Sequence, residues 1–480
     1  MSKWEVVMGL EVHAELSTKT KIFCGCSTVF GGKPNTNVCP ICTGMPGTLP
    51  VLNRAVLDYA LKLGVTLGCN INQNCKFDRK NYFYPDLPKA YQVSQLYAPI
   101  CQGGGLEIEV GESGEKKFIN IHQIHMEEDA GKLVHESNFT QIDYNRGCVP
   151  LLEIVSKPDF RSGDEVIAYL EKLRETLMYL DVCDCKMQEG SLRADVNLSV
   201  RKLGGELGTR TEMKNLNSFK AIARAIVYES ERQIDLLESG GEVKQETRRW
   251  DDERGESYAM RSKANAQDYR YFPDPDLLPI SITDEELELI RKSLPELAHQ
   301  KRERYMKDYG MSKIVACTIT SHKNLSDLFE ITTEHSEQGG EVANLISGEF
   351  MRLLKSSNTL PEKIEPEILG RKFAELVKLV VDSKINRGAY KEVVGKVFES
   401  PHEIEPMAYI EEKGLLMITD TGAVEEAVKS ILAKNQSAVD DYRAGKQKAF
   451  GFLMGQTMKK LGGTASPDVI KSTLTDVLKG

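Results

Sequence analysis

The segment Tyr271-Phe272-Pro273-Asp274-Pro275-Asp276-Leu277-Leu278-Pro279 separates two textures of this chain and limits what it can fold into. Three prolines in nine residues remove backbone donors and hold their predecessors extended. Neither a helix nor a central strand can run through such a strap. Before it, runs such as Val6-Val7-Met8-Gly9-Leu10-Glu11-Val12-His13 and Leu106-Glu107-Ile108-Glu109-Val110 have the apolar or alternating pattern of strands. Gly103-Gly104-Gly105 and Glu112-Ser113-Gly114 bracket the second run, which signals a hairpin. Helices are expected over residues 51–67, 164–180 (capped by Ser162 or Asp164) and 218–237 (capped by Asn217 or Ser218). After the strap the pattern is helix upon helix, over residues 284–294, 296–309, 340–355 and 365–382. Pro401 to Pro406 marks a second boundary, with short helices predicted over 423–433, 437–444, 446–460 and 467–478. The predicted fold class is therefore α+β: a mixed β-sheet domain over 1–283, an all-helical domain over 284–404 and a small helical tail over 405–480. Three domains also match 480 residues at roughly 150 residues each.

Composition enters as exclusion. No window reaches the ~18 consecutive apolar residues of a membrane span. Met1-Ser2-Lys3-Trp4-Glu5 leads directly into a strand-like segment without the apolar core of a signal peptide, so a cytoplasmic protein is expected. The 62 basic and 71 acidic residues give a net charge of −9, which excludes binding nucleic acid by bulk attraction. A nucleic-acid partner would need local basic patches acting against the overall sign.

Ten of the eleven cysteines precede residue 190, and an odd number without a secretion signal argues against a disulfide framework. Cys24, Cys26, Cys39 and Cys42 stand apart as C-x-C-x12-C-x2-C, two thiol pairs joined by a loop. Four thiolates on two short knuckles suit tetrahedral, structural Zn²⁺ with no open position for catalysis. Four ordinary reduced cysteines, or a redox-active Cys39-Pro40-Ile41-Cys42, are the competing readings.

Four charged clusters follow. Glu11 and His13 lie two apart on one strand and share a face. His125-Met126-Glu127-Glu128-Asp129 sets three consecutive carboxylates near an imidazole; Arg193, Asp195 and Asn197 alternate, as do Arg210, Glu212 and Lys214. Gathered carboxylates repel unless a cation sits among them, and hard oxygens near substrate phosphates are what Mg²⁺ accepts. A solvated sheet face with alternating charge would look the same for any single cluster. The run from Phe77 to Tyr91 interleaves Tyr and Phe with Arg79, Lys80 and Lys89, a pattern that suits a nucleobase and its phosphates or, equally, a buried aromatic strand. No Walker loop exists: Gly131-Lys132 is followed by Leu133, and Met126 holds the first glycine position.

These motifs carry a resemblance. GLEVHAEL, NTNVCPICTGMPGTLP, DRKNYFYPDLPKAYQ, HMEEDAGK, MQEGSLRADVN, TEMKNLNSF, QETRRWD and DYRYFPDPDL occur here in the order in which they occur in the B subunits of the bacterial aspartyl/glutamyl-tRNA amidotransferases. The resemblance spans essentially the whole chain. It implies a cradle-shaped first domain, a helical domain and a tRNA-binding tail. It implies ATP- and Mg²⁺-dependent phosphorylation of the side-chain carboxylate of tRNA mischarged with Glu or Asp, then amidation by ammonia. Carried over residue by residue, Glu11, His13, Glu127, Glu128 and Glu212 become the catalytic, Mg²⁺-holding candidates. Lys80, Tyr82, Lys89, Arg193 and Lys214 become candidates for binding nucleotide or acyl-adenosine. Lys446, Lys448, Lys459 and Lys460 supply a basic patch for tRNA, or an ordinary solvated helix face. The implied partners are a glutaminase (amidase) subunit and a small bridging subunit, making a heterotrimer, with aminoacyl-tRNA as substrate. A related archaeal subunit would carry an extra domain before the helices, for which the interval from Pro279 to Asp284 leaves no room. A metal-dependent RNA-binding scaffold or nuclease is the alternative of a different class.

Overall fold

A computed structural model describes residues 3–111, 114–262, 269–417, 421–461 and 465–479. The chain forms two compact units, Met1–Leu297 and Ala298–Gly480.

The first unit is built on a ten-stranded mixed sheet. From one edge the order is Glu256–Ser262, Glu246–Asp251, Thr211–Lys214, Leu192–Lys202, Trp4–Glu15, Pro150–Ser156, Glu115–Glu128, Cys101–Gln102 and Asn70–Ile71, with Gly105–Val110 also paired to Glu115–Glu128. Thr211–Lys214 and Glu246–Asp251 run parallel, while the strands around the centre pair antiparallel. The N-terminal strand is the hub. It registers against Leu192–Lys202 from Trp4 opposite Lys202 to Ala14 opposite Leu192, and against Pro150–Ser156 from Glu11 opposite Val155 to Glu15 opposite Leu151.

Strand period two decides which face each residue joins. Leu10, Val12 and Ala14 are buried, while Glu11, His13 and Glu15 between them are only partly so. The buried set continues through Ile124, Met126, Leu152, Ile154, Val196 and Leu198 and packs on three helices. These are Arg54–Thr66, Gly163–Tyr179 and Phe219–Glu238, each begun by a side chain that accepts an otherwise orphaned backbone N–H: Asn53 from Ala55, Ser162 from Glu165 and Ser218 from Ala221. Of the alternative caps read from the sequence, Ser162 and Ser218 are the ones used. The hairpin strand Gly105–Val110 is present, but Glu112 and Ser113 of its expected turn lie outside the described residues.

The proline strap is tied down. Phe272–Pro273 pairs with Asp78–Arg79, and the Arg79 guanidinium donates to Asp274 and Asp276, both at 2.7 Å. The chain then enters the helix Asp284–Ser293, which belongs to this first unit. Its capping box joins Thr283 and Glu286, and Glu286 also pairs with Arg54 at 3.0 Å.

One buried ion cluster fixes the far end of the sheet against the helix Phe219–Glu238. The fully buried Glu229 accepts from Thr211 and Gln233 at 2.8 Å each, from Arg232 at 2.7 Å, and faces Arg248 at 3.3 Å. Burial opposes its charged form, yet these partners hold its carboxyl below the ordinary glutamate value. Glu229→Ala removes the carboxylate that Arg232 pairs with and the acceptor of Thr211 and Gln233, and is expected to cost about 3–5 kcal/mol of stability. Because the folded pKa is depressed, wild type draws this stabilisation in full above the unfolded pKa of roughly 4.3 and loses it as pH falls through the folded value. The wild-type advantage over Glu229→Ala in urea unfolding should therefore shrink at acid pH. Both tryptophans, Trp4 and Trp250, lie in this unit and report on it.

The second unit is helical. Tyr305, Phe329, Phe350, Phe373, Val393 and Ile410 anchor one core. A second gathers Val424, Val428, Leu453, Ile470 and Leu474 from the helices Thr421–Lys434, Gln447–Lys460 and Pro467–Lys479. The helix expected over 340–355 is divided: Gly339–Asn344, a π turn over Leu345–Phe350, then Met351–Ser357. Part of the turn expected after Leu461, residues 462–464, lies outside the described residues. No helix among the described residues is long and apolar enough to cross a membrane.

Candidate active site on the polar face of the sheet

Antiparallel register builds the site. Arg193, His13, Glu153 and His125 lie opposite one another in a single row across four strands. Paired residues project to the same face, and neighbouring strands are only ~4.8 Å apart, so the row is forced into contact. His13 Nε2 is 3.5 Å from Glu153 Oε2, and His125 Nε2 is 2.9 Å from the same oxygen. Glu127, two residues beyond His125, reaches back to His13 at 3.8 Å and His125 at 3.7 Å. One ligand atom from each of His13, Glu127 and Glu153 lies within 4.8 Å of the others. Two carboxylates and an imidazole converging at that spacing fit a divalent cation that keeps some of its waters.

The same carboxylates favour protonated imidazoles, so a cation held by His13 would have to displace its proton. Burial opposes charging of His125, but Glu153 and Glu127 outweigh it and raise the imidazole to about 10. His13 is raised too, with burial again overcome by Glu153 and Glu127. Glu153 is correspondingly held well below the usual carboxylate range, despite burial, by the two imidazoles. One row further, Glu15 is pushed up to about 8 by burial and then by the negative Asp129. Asp129 stays ionised because Arg193, at 2.9 Å, and Arg146, at 3.5 Å, outweigh its burial. Among the described residues, the buried atoms His125 Nδ1 and Arg193 Nε have no hydrogen-bond partner.

Glu11 and Glu212 form a second acidic group on this face. Asn197 donates to Glu11 at 2.8 Å, and burial, with Glu153 nearby, raises the Glu11 carboxyl. Glu212 accepts from Thr247 at 2.7 Å and pairs with Lys214 at 2.9 Å; Lys214 also holds Asp195 at 2.5 Å. Lys80 comes from the strand Asp78–Asn81. Its ammonium lies 5.6 Å from the Tyr82 ring centroid and 5.1 Å from that of Tyr269, with no carboxylate in ion-pair contact among the described residues. Burial disfavours its charge, but the field of Glu127 and of Tyr271 and Tyr82 holds the ammonium above its ordinary value.

Glu128 and Lys89 do not join this group. Adjacent strand residues face opposite ways, so Glu128 turns from Glu127 toward the other side of the strand. There it pairs with Lys89 at 2.5 Å and accepts from the Val93 amide at 2.8 Å. Lys89 lines a separate cavity of about 190 Å³ with Phe23, Cys42, Arg79, Tyr91 and Asp274. The four cysteines meet beside that cavity. The Sγ atoms of Cys24, Cys26, Cys39 and Cys42 lie within 4.8 Å of one another, a set that could hold a metal such as zinc. The Cys39 amide donates to Cys42 Sγ at 3.1 Å, and the buried Lys21 ammonium stands 3.8 Å from the same sulfur. Both suit a thiolate. The tail lysines are exposed but not together: Lys446 and Lys448 begin the helix Gln447–Lys460 and Lys459 and Lys460 end it, roughly 18 Å away at 1.5 Å per residue.

Glu153, Glu15, Tyr269 and Tyr271 also border the site; Glu15 lies within GLEVHAEL and Tyr269 and Tyr271 within DYRYFPDPDL without standing out there as site residues, and Glu153 lies in none of the quoted motifs. Glu153 does carry a signal, a single carboxylate in Pro150-Leu-Leu-Glu-Ile-Val-Ser156, where an otherwise apolar strand gains nothing from a charge.

A mixed sheet with one face packed on helices and the other carrying a row of imidazoles and carboxylates that could hold a metal ion, joined to a helical region, is the architecture in which the comparisons place this chain. Residues 6–288 match the family model described as the GatB/GatE catalytic domain, and residues 327–478 match the GatB domain. The chain belongs to the family of aspartyl/glutamyl-tRNA(Asn/Gln) amidotransferase B subunits. It is 57% identical over 481 residues to the protein of that name from Lachnoclostridium phytofermentans, covering 100% of this chain and 99% of the relative. It is 53% identical to the one from Lachnospira eligens, covering 100% of both, and 52% identical to the one from Caldicellulosiruptor bescii, covering 99% of both.

Proposed function

We propose that this chain is the carboxylate-activating subunit of a cytoplasmic, tRNA-dependent amidotransferase, converting Glu-tRNA(Gln) or Asp-tRNA(Asn) to Gln-tRNA(Gln) or Asn-tRNA(Asn) for translation. The observation that carries this reading is the convergence of His13, Glu127 and Glu153, with Lys80 held charged by the field of Glu127. A carboxylate is a poor acyl donor, so its oxygen first attacks the γ-phosphorus of ATP and ADP departs. Ammonia then attacks the acyl carbon, phosphate leaves, and the ammonium so formed loses a proton. Little of this requires a protein nucleophile; it requires positioning and neutralisation of charge.

His13, Glu127 and Glu153 would hold one Mg²⁺, with Glu11 and Glu212 next to it on the same face. Bound there, the cation supplies charge neutralisation to the transferring phosphoryl group. Lys80 and Arg193 offer donors to phosphate oxygens. The rings of Tyr82 and Tyr269 bracket Lys80 and offer aromatic surface to a nucleoside. His125 orients Glu153 and balances its charge. Lys214 is compensated by Asp195 and Glu212, so it arranges that acidic group rather than standing free for a phosphate. Cys24, Cys26, Cys39 and Cys42 hold a structural Zn²⁺, which stabilises the wall of the cavity that Lys89 lines.

In this reading residues 1–283 carry the chemistry, with the helix Asp284–Ser293 packed on them, the helices that follow up to 404 form a helical domain, and 405–480 bind tRNA. A glutaminase subunit and a small bridging subunit complete the heterotrimer and deliver ammonia. Reconstitution with those subunits, ATP, Mg²⁺, glutamine and Glu-tRNA should yield amide; no amide, even with ammonium chloride as donor, would contradict it. Replacing Lys446, Lys448, Lys459 and Lys460 by Ala should raise the KM for charged tRNA. It should also lower the salt slope of binding by about 0.7–0.9 for each phosphate no longer neutralised. An unchanged slope would exclude those lysines from tRNA binding.

A further inference from the structure

Between the strands Asp78–Asn81 and Tyr91–Ser94 the chain makes a loop that is fastened at many points. Tyr82 Oη meets Gln92 Oε1 at 3.2 Å, Tyr144 Oη donates to the Pro85 carbonyl at 2.8 Å, and the Gly131 amide donates to the Asp86 carbonyl at 2.9 Å. Inside the loop Leu87 N–H bonds the Tyr84 carbonyl, and Ala90 N–H the Leu87 carbonyl, at 3.0 Å each. Gly131 docks so closely that an added Cβ would lie 3.2 Å from the Asp86 carbonyl oxygen. Pro85 and Pro88 stiffen the remainder. A loop held this way could have turned its aromatics inward, as it does Tyr82. Phe83 is instead 91% exposed and Tyr84 55% exposed. With Pro85, Leu87 and Ala90 they line an open groove of about 260 Å³.

We infer that Phe83 and Tyr84 are a stacking platform for the unpaired nucleobases at the 3′ end of the charged tRNA. This rests on the amidotransferase reading above and follows from continuity with that site. The reacting carboxylate is esterified to the terminal ribose, so wherever Lys80 and Glu127 meet the carboxylate, the last bases must lie close by. Phe83 is three residues from Lys80, at most roughly 10 Å along an extended chain. That is on the order of the separation between an esterified side chain and its own or the preceding base. Aromatic faces accept any base, which suits single-stranded ends. Ordering the end on a rigid loop lowers the entropy cost of presenting the ester.

The test uses the reconstituted complex and tRNA carrying 2-aminopurine in place of its terminal adenine. Wild type should quench the probe. Phe83→Ala with Tyr84→Ala should abolish the quenching and raise the KM for charged tRNA at least about tenfold with little change in kcat. Phe83→Trp with Tyr84→Phe should restore both. Unchanged KM and quenching in the double alanine variant, while Glu153→Ala is inactive, would overturn the platform and leave the site reading standing. Failure of the alanine variant to assemble with its partner subunits would also overturn it, by making this face a protein interface. A wild-type complex that forms no amide would remove the reading on which the platform rests.

Discussion

Glu153→Ala is expected to lower amide formation on charged tRNA by about a thousandfold or more while leaving the partner's glutamine hydrolysis measurable. The carboxylate is one of three groups converging within 4.8 Å, and both His13 and His125 lean on its Oε2. Removing it takes away a hard ligand and leaves two imidazoles without their counter-charge. A metal ion that neutralises a transferring phosphoryl group contributes several kcal/mol, and each ~1.4 kcal/mol is a factor of ten in rate. Glu153→Gln keeps the shape and loses the charge, so it should be nearly as inactive. Tryptophan fluorescence of both variants should resemble wild type, because the side chain lies outside the apolar core, while urea stability should fall as His13 and His125 lose their counter-charge. Activity within tenfold of wild type in either variant would remove Glu153 from the site.

Cys39→Ser carries the second large expected effect. Purified wild type should contain about one zinc per chain, and the variant almost none. Metal binding that accompanies folding is itself folding free energy, so the loss should reach on the order of 3–5 kcal/mol in the first unit. The sulfurs are set among Phe23, Ile22 and Cys148 of the main core, so an opened knuckle would expose that core to water. Chelator treatment of wild type should reproduce the variant's unfolding curve. Metal-free wild type with undiminished stability would show that the four cysteines are merely reduced thiols.

How far the sequence reveals such a site depends on the range over which its signals act. The strap, the helix caps and the cysteine spacing are local, and each appears in the fold much as its residues suggest. Glu11 with His13, and Arg193 with Asp195 and Asn197, are legible as shared faces because strand period is a local property. The same period separates Glu127 from Glu128, although two consecutive carboxylates invite grouping as one ligand set. What no local pattern supplies is register. That His13 lies opposite Glu153, and Lys89 against Glu128, depends on segments brought together from distant parts of the chain. Glu153 is a lone charge in an apolar strand, and only the row formed with His13 and His125 explains it. The tail lysines differ in the opposite sense: closeness in sequence suggests one patch, and helical rise puts two pairs at opposite ends. The π turn at Leu345–Phe350 likewise interrupts what the apolar spacing presents as one continuous helix.

The most direct test of the central claim, that this sheet face activates a carboxylate by phosphoryl transfer, follows one oxygen atom. Glu-tRNA labelled with ¹⁸O in its side-chain carboxylate is incubated with the reconstituted complex, ATP, Mg²⁺ and glutamine, and the inorganic phosphate is analysed by mass. Attack of the carboxylate on the γ-phosphorus predicts one ¹⁸O in the phosphate for each amide formed, and no transfer with Glu153→Ala. Amide formation with phosphate free of ¹⁸O would contradict the proposed chemistry of the site.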